Sequence, residues 1–170
     1  MVVPKKEKKF LFMEKIDRLL GRDQGDKKLS YKLSVDKYYQ VYSRTAQKLK
    51  EVLQFGPTVL IINGGSLPLI FYRKGIITSR WCKPDYNHAV LAVGYGLQED
   101  VGRERQTVEY VIIKNSWGAH WGDGGYAKIS MAQRSQYDLG ICGIYQEFYA
   151  IKVKVDEEVG DVEEDEDWFD

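Results

Sequence analysis

Apolar and polar positions alternate along much of this chain with the two-residue period of β-strands. In residues 29–42, Tyr31, Leu33 and Val35 alternate with polar side chains, which predicts a half-buried strand. Residues 58–62 are almost entirely apolar and are followed by Asn63-Gly64-Gly65, which predicts a buried strand and a turn. Further short strands are predicted at residues 89–93, 110–114, 125–130 and 147–153.

One stretch has the spacing of an α-helix instead. Its apolar stripe consists of Ala46, Leu49, Val52 and Leu53. Ser43 is the predicted N-cap, and the helix is expected to stop at Gly56-Pro57 because proline cannot continue the backbone hydrogen bonding. One helix followed by several short strands with glycine-rich turns predicts an α+β domain built around a twisted antiparallel sheet or barrel.

Polar and charged stretches divide the chain into three parts. Residues 1–28 are predicted to be a charged leader, and residues 29–154 the folded domain. Residues 155–170 hold ten acidic side chains and no basic one, which predicts a solvated, disordered tail because like charges repel. Within the domain, residues 97–107 are predicted to form an exposed hairpin loop.

Composition and charge narrow the possible partners. At 170 residues, with 44% hydrophobic and 13% aromatic content, the chain suits a globular domain with its own core. Residues 1–50 carry fourteen Lys or Arg and six acidic residues, but the lysines near the start lack interleaved aromatics that stack on bases. Nucleic acid is therefore not an expected partner. No apolar run approaches the roughly 18 residues of a membrane span, and no secretory signal is readable.

Candidate chemistry is limited, because the chain has two histidines and two cysteines. His88 opens one predicted strand, and Asn115 directly follows another. Each feature is weak evidence alone, but the ordered set of motifs is specific. The set comprises Gly56-Pro57, Phe71-Tyr72, Gly75-Ile76, His88-Ala89-Val90, Val93-Gly94-Tyr95-Gly96, Lys114-Asn115-Ser116-Trp117-Gly118, Trp121-Gly122, Gly125-Tyr126 and Cys142-Gly143-Ile144.

These motifs, spread over residues 31–153, resemble the C-terminal half of papain-like cysteine peptidases such as the cathepsins. The resemblance implies the β-barrel-like right-hand domain of the papain fold, which is mainly twisted antiparallel sheet with one or two helices. It also implies a cysteine-type endopeptidase that acts on peptide or protein substrates without a cofactor or a metal. A lysosomal or extracellular location is expected from the same resemblance.

The resemblance assigns catalytic roles to two residues. His88 would be the imidazole that takes a proton from a thiol and returns it, and Asn115 would orient that ring through a side-chain hydrogen bond. Trp117 would cover the hydrogen bond, since excluding water strengthens an electrostatic contact.

The same family pattern extends to the cleft and to the cysteines. Trp121 would line the primed side of the cleft, where residues after the scissile bond bind. Gly64 and Ala89 would leave the main specificity pocket roomy. Cys82 and Cys142 would form a disulfide, as in many family members, and this implies an oxidising compartment.

The nucleophilic cysteine of the family has no counterpart that the sequence supports. Its Cys-Gly-Ser/Ala-Cys-aromatic signature lies about 130 to 150 residues before the histidine, and the stretch before His88 does not contain it. Cys82 beside Lys83 stays open as a reactive thiol. A zinc site built from Cys82, His88, His120 and Cys142 is disfavoured, because structural zinc ligands commonly lie two to four residues apart in pairs.

Three hypotheses follow for the whole chain. In the first, it is one half of an endopeptidase, and an N-terminal half chain supplies the nucleophile. In the second, it is a catalytically inactive binding module that keeps one wall of the cleft. In the third, it is a truncated, unstable fragment that exposes apolar surface normally buried against the other half.

Overall fold

The computed structural model describes residues 30–100 and 106–159. Its elements, in chain order, are β1 (Ser30–Val41), α1 (Ala46–Leu53), β2 (Thr58–Ile62), α2 (Leu67–Ile70), β3 (Ile76–Ile77), β4 (His88–Asp100), β5 (Gln106–Lys114), β6 (Tyr126–Ser130), a 3-10 helix (Ile141–Gly143) and β7 (Glu147–Val159). The predicted leader, residues 1–28, lies outside the described residues. The same holds for residues 160–170 of the predicted tail.

The strands form one seven-stranded sheet in the order β1-β7-β2-β4-β5-β6-β3. Neighbouring strands are antiparallel, except that β3 and β6 are parallel. His88 at the start of β4 pairs with Ile62 at the end of β2, and Leu91 pairs with Lys114 at the end of β5. Because adjacent antiparallel strands run in opposite directions, the start of β4 and the end of β5 lie at the same end of the sheet.

Helix α1 and the sheet enclose the main hydrophobic core. Leu49 and Leu53, four residues apart on one face of α1, are buried in the same cluster as Leu60 of β2 and Phe148 of β7. Burying each such side chain contributes roughly 1.5–3 kcal/mol relative to leaving it exposed. None of the helices in the described parts of the chain has the length and apolar character needed to cross a bilayer.

The N-cap of α1 differs from the prediction. Thr45, and not Ser43, precedes the first helical residue, and its hydroxyl accepts a hydrogen bond from the backbone N–H of Lys48 at 3.2 Å. The capping oxygen has to reach the third helical residue, and only Thr45 lies at that distance along the chain. The helix does end before Gly56-Pro57, as predicted.

Backbone pairing extends three strands beyond the predicted limits. Leu97 pairs with Glu109 and Asp100 pairs with Gln106, so most of the predicted loop 97–107 is strand, and residues 101–105 lie outside the described residues. Strand β7 runs five residues past the predicted domain boundary at 154, because β1 pairs with it as far as Val159. Ladder hydrogen bonds satisfy backbone groups whatever the side chains are, which lets polar residues continue a strand.

A buried disulfide joins Cys82, in the irregular segment before β4, to Cys142 in the 3-10 helix, with Cα atoms 4.5 Å apart. The backbone N–H of Cys142 also donates to the Cys82 carbonyl at 2.7 Å. The predicted disulfide is confirmed. The disulfide uses both cysteines of the chain, so neither is a free thiol. The zinc site that the sequence disfavours would need both thiolates, and the disulfide occupies them.

Several large apolar side chains lie on the surface. Phe55 is 90% exposed, and Tyr42, Trp81 and Tyr137 are each 83% exposed. Apolar side chains that lie singly on the surface are ordinary in globular domains.

Removal of the disulfide is expected to destabilise the domain strongly. In the chain-entropy model, a bridge across a sequence separation of 60 residues stabilises the folded state by roughly 4 kcal/mol. A Cys82→Ala/Cys142→Ala variant should therefore unfold at a much lower urea concentration than the wild type. Wild-type protein treated with a strong reductant should match the double variant, and an unchanged midpoint would contradict the assignment.

Tyr145 should make stability depend on alkaline pH. Burial, with the nearby charges of Glu109 and Asp138, raises the pKa of its phenol. An unfolded tyrosine titrates at about pH 10, so the stabilisation is complete below that pH and is lost as the pH rises above it. The unfolding free energy should fall less steeply above about pH 10 in Tyr145→Phe than in the wild type.

The same Tyr145→Phe variant has a predicted cost at neutral pH. The Tyr145 hydroxyl donates to the Met131 carbonyl at 2.7 Å, and its loss should lower the unfolding free energy by about 1 kcal/mol. Urea unfolding at neutral and alkaline pH measures both effects. Identical pH slopes for the two proteins would refute the role of Tyr145.

Candidate active site

His88 and Asn115 meet at the end of the sheet where β4 begins and β5 ends. The Nε2 atom of His88 lies 2.8 Å from the Oδ1 atom of Asn115. The backbone N–H of Asn115 donates to the Gly125 carbonyl at 2.9 Å, which fixes the chain directly after β5. Two residues that are 27 positions apart in sequence are thus brought into hydrogen-bond contact by the β4–β5 register.

The hydrogen bonds of Asn115 assign the tautomer of His88. Asn115 Oδ1 also accepts the backbone N–H of Ser116 at 2.8 Å, so the amide must keep its oxygen on this side. An oxygen can only accept, and Nε2 of His88 must therefore carry the proton and donate it. In a neutral imidazole the other nitrogen, Nδ1, then holds a lone pair that can accept a proton.

Trp117 lies against the His88 ring. Its ring stacks on the His88 ring, with centroids 5.0 Å apart and planes inclined by 29°. Trp117 itself is 38% exposed, whereas Asn115 is 7% exposed. The indole ring therefore covers one face of the imidazole, next to the buried Asn115.

Trp121 supports Trp117 from behind. The two indole rings meet edge to face with centroids 5.2 Å apart. The Trp121 indole N–H donates to the carbonyls of Leu69 and Ile70, at 3.1 and 3.2 Å. Tyr72 packs on the same indole, and burial raises the pKa of its phenol. Trp121 thus connects helix α2 to Trp117, the indole that stacks on His88.

Gly64 and Ala89 both adjoin the histidine. A Cβ atom added to Gly64 would lie 2.6 Å from the Cβ of His88, so only glycine permits this approach. Ala89 follows His88 in β4, is exposed, and pairs with Ile61 of β2. Their contribution to a specificity pocket stays a prediction.

Sequence reasoning did not assign a role to Asn63 or Asn87, two carboxamides beside the histidine. Asn87 Oδ1 accepts the backbone N–H of Gly64 at 2.8 Å. Asn63 donates through Nδ2 to the Lys83 carbonyl at 3.0 Å. Both residues were visible as an Asn-Gly-Gly turn and as the residue before the histidine, but the pattern does not show what a side chain contacts.

Among the described residues, the site offers an imidazole but no free thiol and no cluster of metal-ligating side chains. Within residues 30–100 and 106–159, no group of three or more His, Cys, Asp or Glu side chains could hold a metal ion. The Nδ2 atom of Asn115 is buried and has no hydrogen-bond partner among the same residues. The chemistry that the arrangement supports is proton transfer at His88 Nδ1.

Comparison with known proteins places the chain in a family. The family described as "Papain family cysteine protease" matches residues 6–151, so the match begins inside the predicted leader. A thiol protease aleurain-like from Arabidopsis thaliana is 47% identical over 77 residues, covering 44% of this chain and 18% of the relative. Cysteine endopeptidase RepA from Oryza sativa subsp. japonica is 32% identical over 127 residues, covering 75% of this chain and 32% of the relative.

A solved structure agrees with these sequence matches. The bromelain protease of Ananas comosus, in complex with the E64 inhibitor, superposes with a TM-score of 0.57 at 26% identity, over 69% of this chain and 50% of that chain. The predicted α+β right-hand domain of the papain fold is thereby confirmed. The chain spans at most a third of the length of the two curated relatives and half of the bromelain chain. With the family match extending over residues 6–151, this chain belongs to the papain family of cysteine proteases.

Proposed function

We propose that this chain is the histidine- and asparagine-bearing half of a cysteine-type endopeptidase, and that polypeptide outside these 170 residues supplies the nucleophilic cysteine. The observation that carries the proposal is the 2.8 Å hydrogen bond between His88 Nε2 and Asn115 Oδ1. It leaves Nδ1 as a proton acceptor, which is the function an imidazole needs beside a thiol.

His88 would act as base and then as acid. Its Nδ1 atom takes the proton of the cysteine thiol, and the thiolate attacks the carbonyl carbon of the scissile peptide bond. The imidazolium then returns the proton to the leaving amine, which leaves an acyl group on sulfur. In the second half of the cycle Nδ1 takes a proton from water, the hydroxide attacks the thioester carbonyl, and the thiolate leaves.

Asn115 would hold the His88 ring in one orientation through these steps. Its Oδ1 atom accepts the Nε2–H bond in both the neutral and the protonated state of the imidazole. A carboxylate at this position would favour the imidazolium more strongly and oppose the return of the proton. A neutral amide orients the ring without adding that charge.

The residues around the pair would form one wall of the cleft. We infer that Trp117 excludes water from the hydrogen bond, that Trp121 lines the primed side, and that Gly64 and Ala89 leave room in the main specificity pocket. A peptide or protein would be the substrate, and no cofactor would be needed. The disulfide favours folding in an oxidising compartment. The family favours the lysosome or the extracellular space as the final location.

One observation favours a competing function. Both cysteines of the chain are paired in the disulfide, so the chain as it stands presents no thiol. A module that binds peptides along the same wall without cleaving them would have this property. The two functions differ in whether the native protein that contains this sequence turns substrate over.

The isolated 170-residue chain should be inactive. It should neither hydrolyse a dipeptidyl fluorogenic substrate nor take up an epoxide inhibitor of the E-64 type, because Cys82 and Cys142 are both oxidised. Native protein isolated from its source should do both. Inhibitor uptake by the isolated, oxidised chain would refute the assignment of the nucleophile, whereas native protein that binds the peptide without cleaving it would support the binding module.

Substitutions in the native protein should separate the two catalytic roles. His88→Ala should lower kcat/KM by roughly 10²–10⁴-fold, the usual contribution of a general acid–base. Asn115→Ala should lower it by roughly tenfold to a hundredfold, since the base remains but loses a hydrogen bond worth about 1–3 kcal/mol. His120→Ala is the matched control, because His120 is the other histidine of the chain and is exposed. Equal losses for both histidine variants would contradict the proposal.

A further inference from the structure

Asn63 joins three separate segments of the chain beside the histidine. Its backbone N–H donates to the Cys142 carbonyl at 2.9 Å, which ties the end of β2 to the disulfide turn. Its Nδ2 atom donates to the Lys83 carbonyl at 3.0 Å, in the segment that leads to β4. Its Oδ1 atom accepts the backbone N–H of Gly65 at 2.9 Å, which closes the turn after β2.

These three bonds determine where the histidine can stand. The turn that Asn63 closes contains Gly64, whose backbone lies so near His88 that an added Cβ would fall 2.7 Å from the first ring carbon. The segment that Asn63 holds at Lys83 continues through residues 84–87 into β4, which begins at His88. Asn63 therefore contacts both segments that meet at Gly64 and His88. One is the turn that contains Gly64, and the other is the segment that leads to His88.

We propose that Asn63 is a positioning residue for His88, whose side chain fixes the turn at Gly65 and the segment at Lys83 relative to each other. The inference rests on the proposed function for its catalytic consequence. In structural terms, the His88 ring keeps its hydrogen bond to Asn115 because the Asn63 side chain joins the turn after β2 to the segment before β4.

The chemistry of the side chain explains why this position requires a carboxamide. One end must donate to a carbonyl while the other accepts an N–H, and Asn is the short side chain that does both. Aspartate would keep the acceptor for Gly65 but would place an oxygen against the Lys83 carbonyl. Alanine would remove both bonds and leave the backbone bond to Cys142 alone.

Asn87 provides a second, weaker constraint on the same contact. Its Oδ1 atom accepts the Gly64 N–H, and its Nδ2 atom donates to an Asp85 carboxylate oxygen at 2.9 Å. Asn87 is exposed, whereas Asn63 is partly buried and bound to the disulfide turn. Loss of Asn63 should therefore loosen His88 without releasing it fully.

The test measures the ring directly. In the full chain with ¹⁵N-labelled histidine, the Nε2–H proton of His88 should exchange slowly with water, because Asn115 accepts it and Trp117 covers it. Asn63→Ala should speed this exchange about tenfold, because the loss of its two side-chain hydrogen bonds lets the ring leave Asn115 more often. His120 is exposed and serves as the internal reference in the same spectrum.

Two further variants separate positioning from general stability. Gln133→Ala is the matched control, because Gln133 is also partly buried and makes three hydrogen bonds, to Ala46, Arg44 and Asp138. It should lower the melting temperature but leave His88 exchange unchanged. Asn63→Asp, which keeps the turn, should speed exchange in the same direction as Asn63→Ala and covers the case in which the alanine variant does not fold.

Unchanged His88 exchange in both Asn63 variants, or equal acceleration in Gln133→Ala, would overturn the proposal. Fast exchange in the wild type would overturn it together with the hydrogen bond to Asn115. A native protein that fails to cleave peptides, with slow wild-type exchange and the predicted response to Asn63→Ala, would refute only the proposed function.

Discussion

The hydrogen bond from His88 Nε2–H to Asn115 Oδ1 is the interaction on which the chemistry of this chain depends. It places the proton on Nε2 and leaves Nδ1 as the basic nitrogen. It forms because the register of β4 and β5 brings the two side chains together. Slipping that register by one residue would send every side chain of β4 to the opposite face of the sheet. The buried faces of these strands, with Val90, Val111 and Ile113 in the main core, therefore protect the site as well as the fold.

The surroundings of this bond show a balance between stability and function. Asn115 is buried, and its Nδ2 atom has no partner among the described residues. A buried amide donor left without water or another partner costs about 1–3 kcal/mol. Its other end accepts two hydrogen bonds, from His88 and from Ser116. An apolar residue would pack at this position without that cost but would not orient the ring. The disulfide and the core offset such a local cost elsewhere in the domain.

Sequence patterns predicted the parts of this molecule that follow from periodicity and from ordered motifs. The buried strand at Thr58–Ile62 and the stripe of α1 follow from hydrophobic spacing. The predicted contact between His88 and Asn115 follows from the family resemblance, and the observed distance agrees with it. Patterns were weaker where backbone pairing decides the outcome, as in β4 beyond Leu97, where polar side chains continue a strand. They missed α2 and β3, whose four and two residues are too short to show a period.

We propose that a thiol from elsewhere in the polypeptide meets the Nδ1 atom of His88. The most direct test is native mass spectrometry of the protein isolated from its source, before and after treatment with an epoxide inhibitor of the E-64 type. We expect an assembly clearly heavier than the 19.7 kDa of this chain, because the matched 69% of this chain covers only 50% of the bromelain chain. It should carry one inhibitor on a cysteine other than Cys82 or Cys142. A native species of 19.7 kDa that takes up no inhibitor would contradict it.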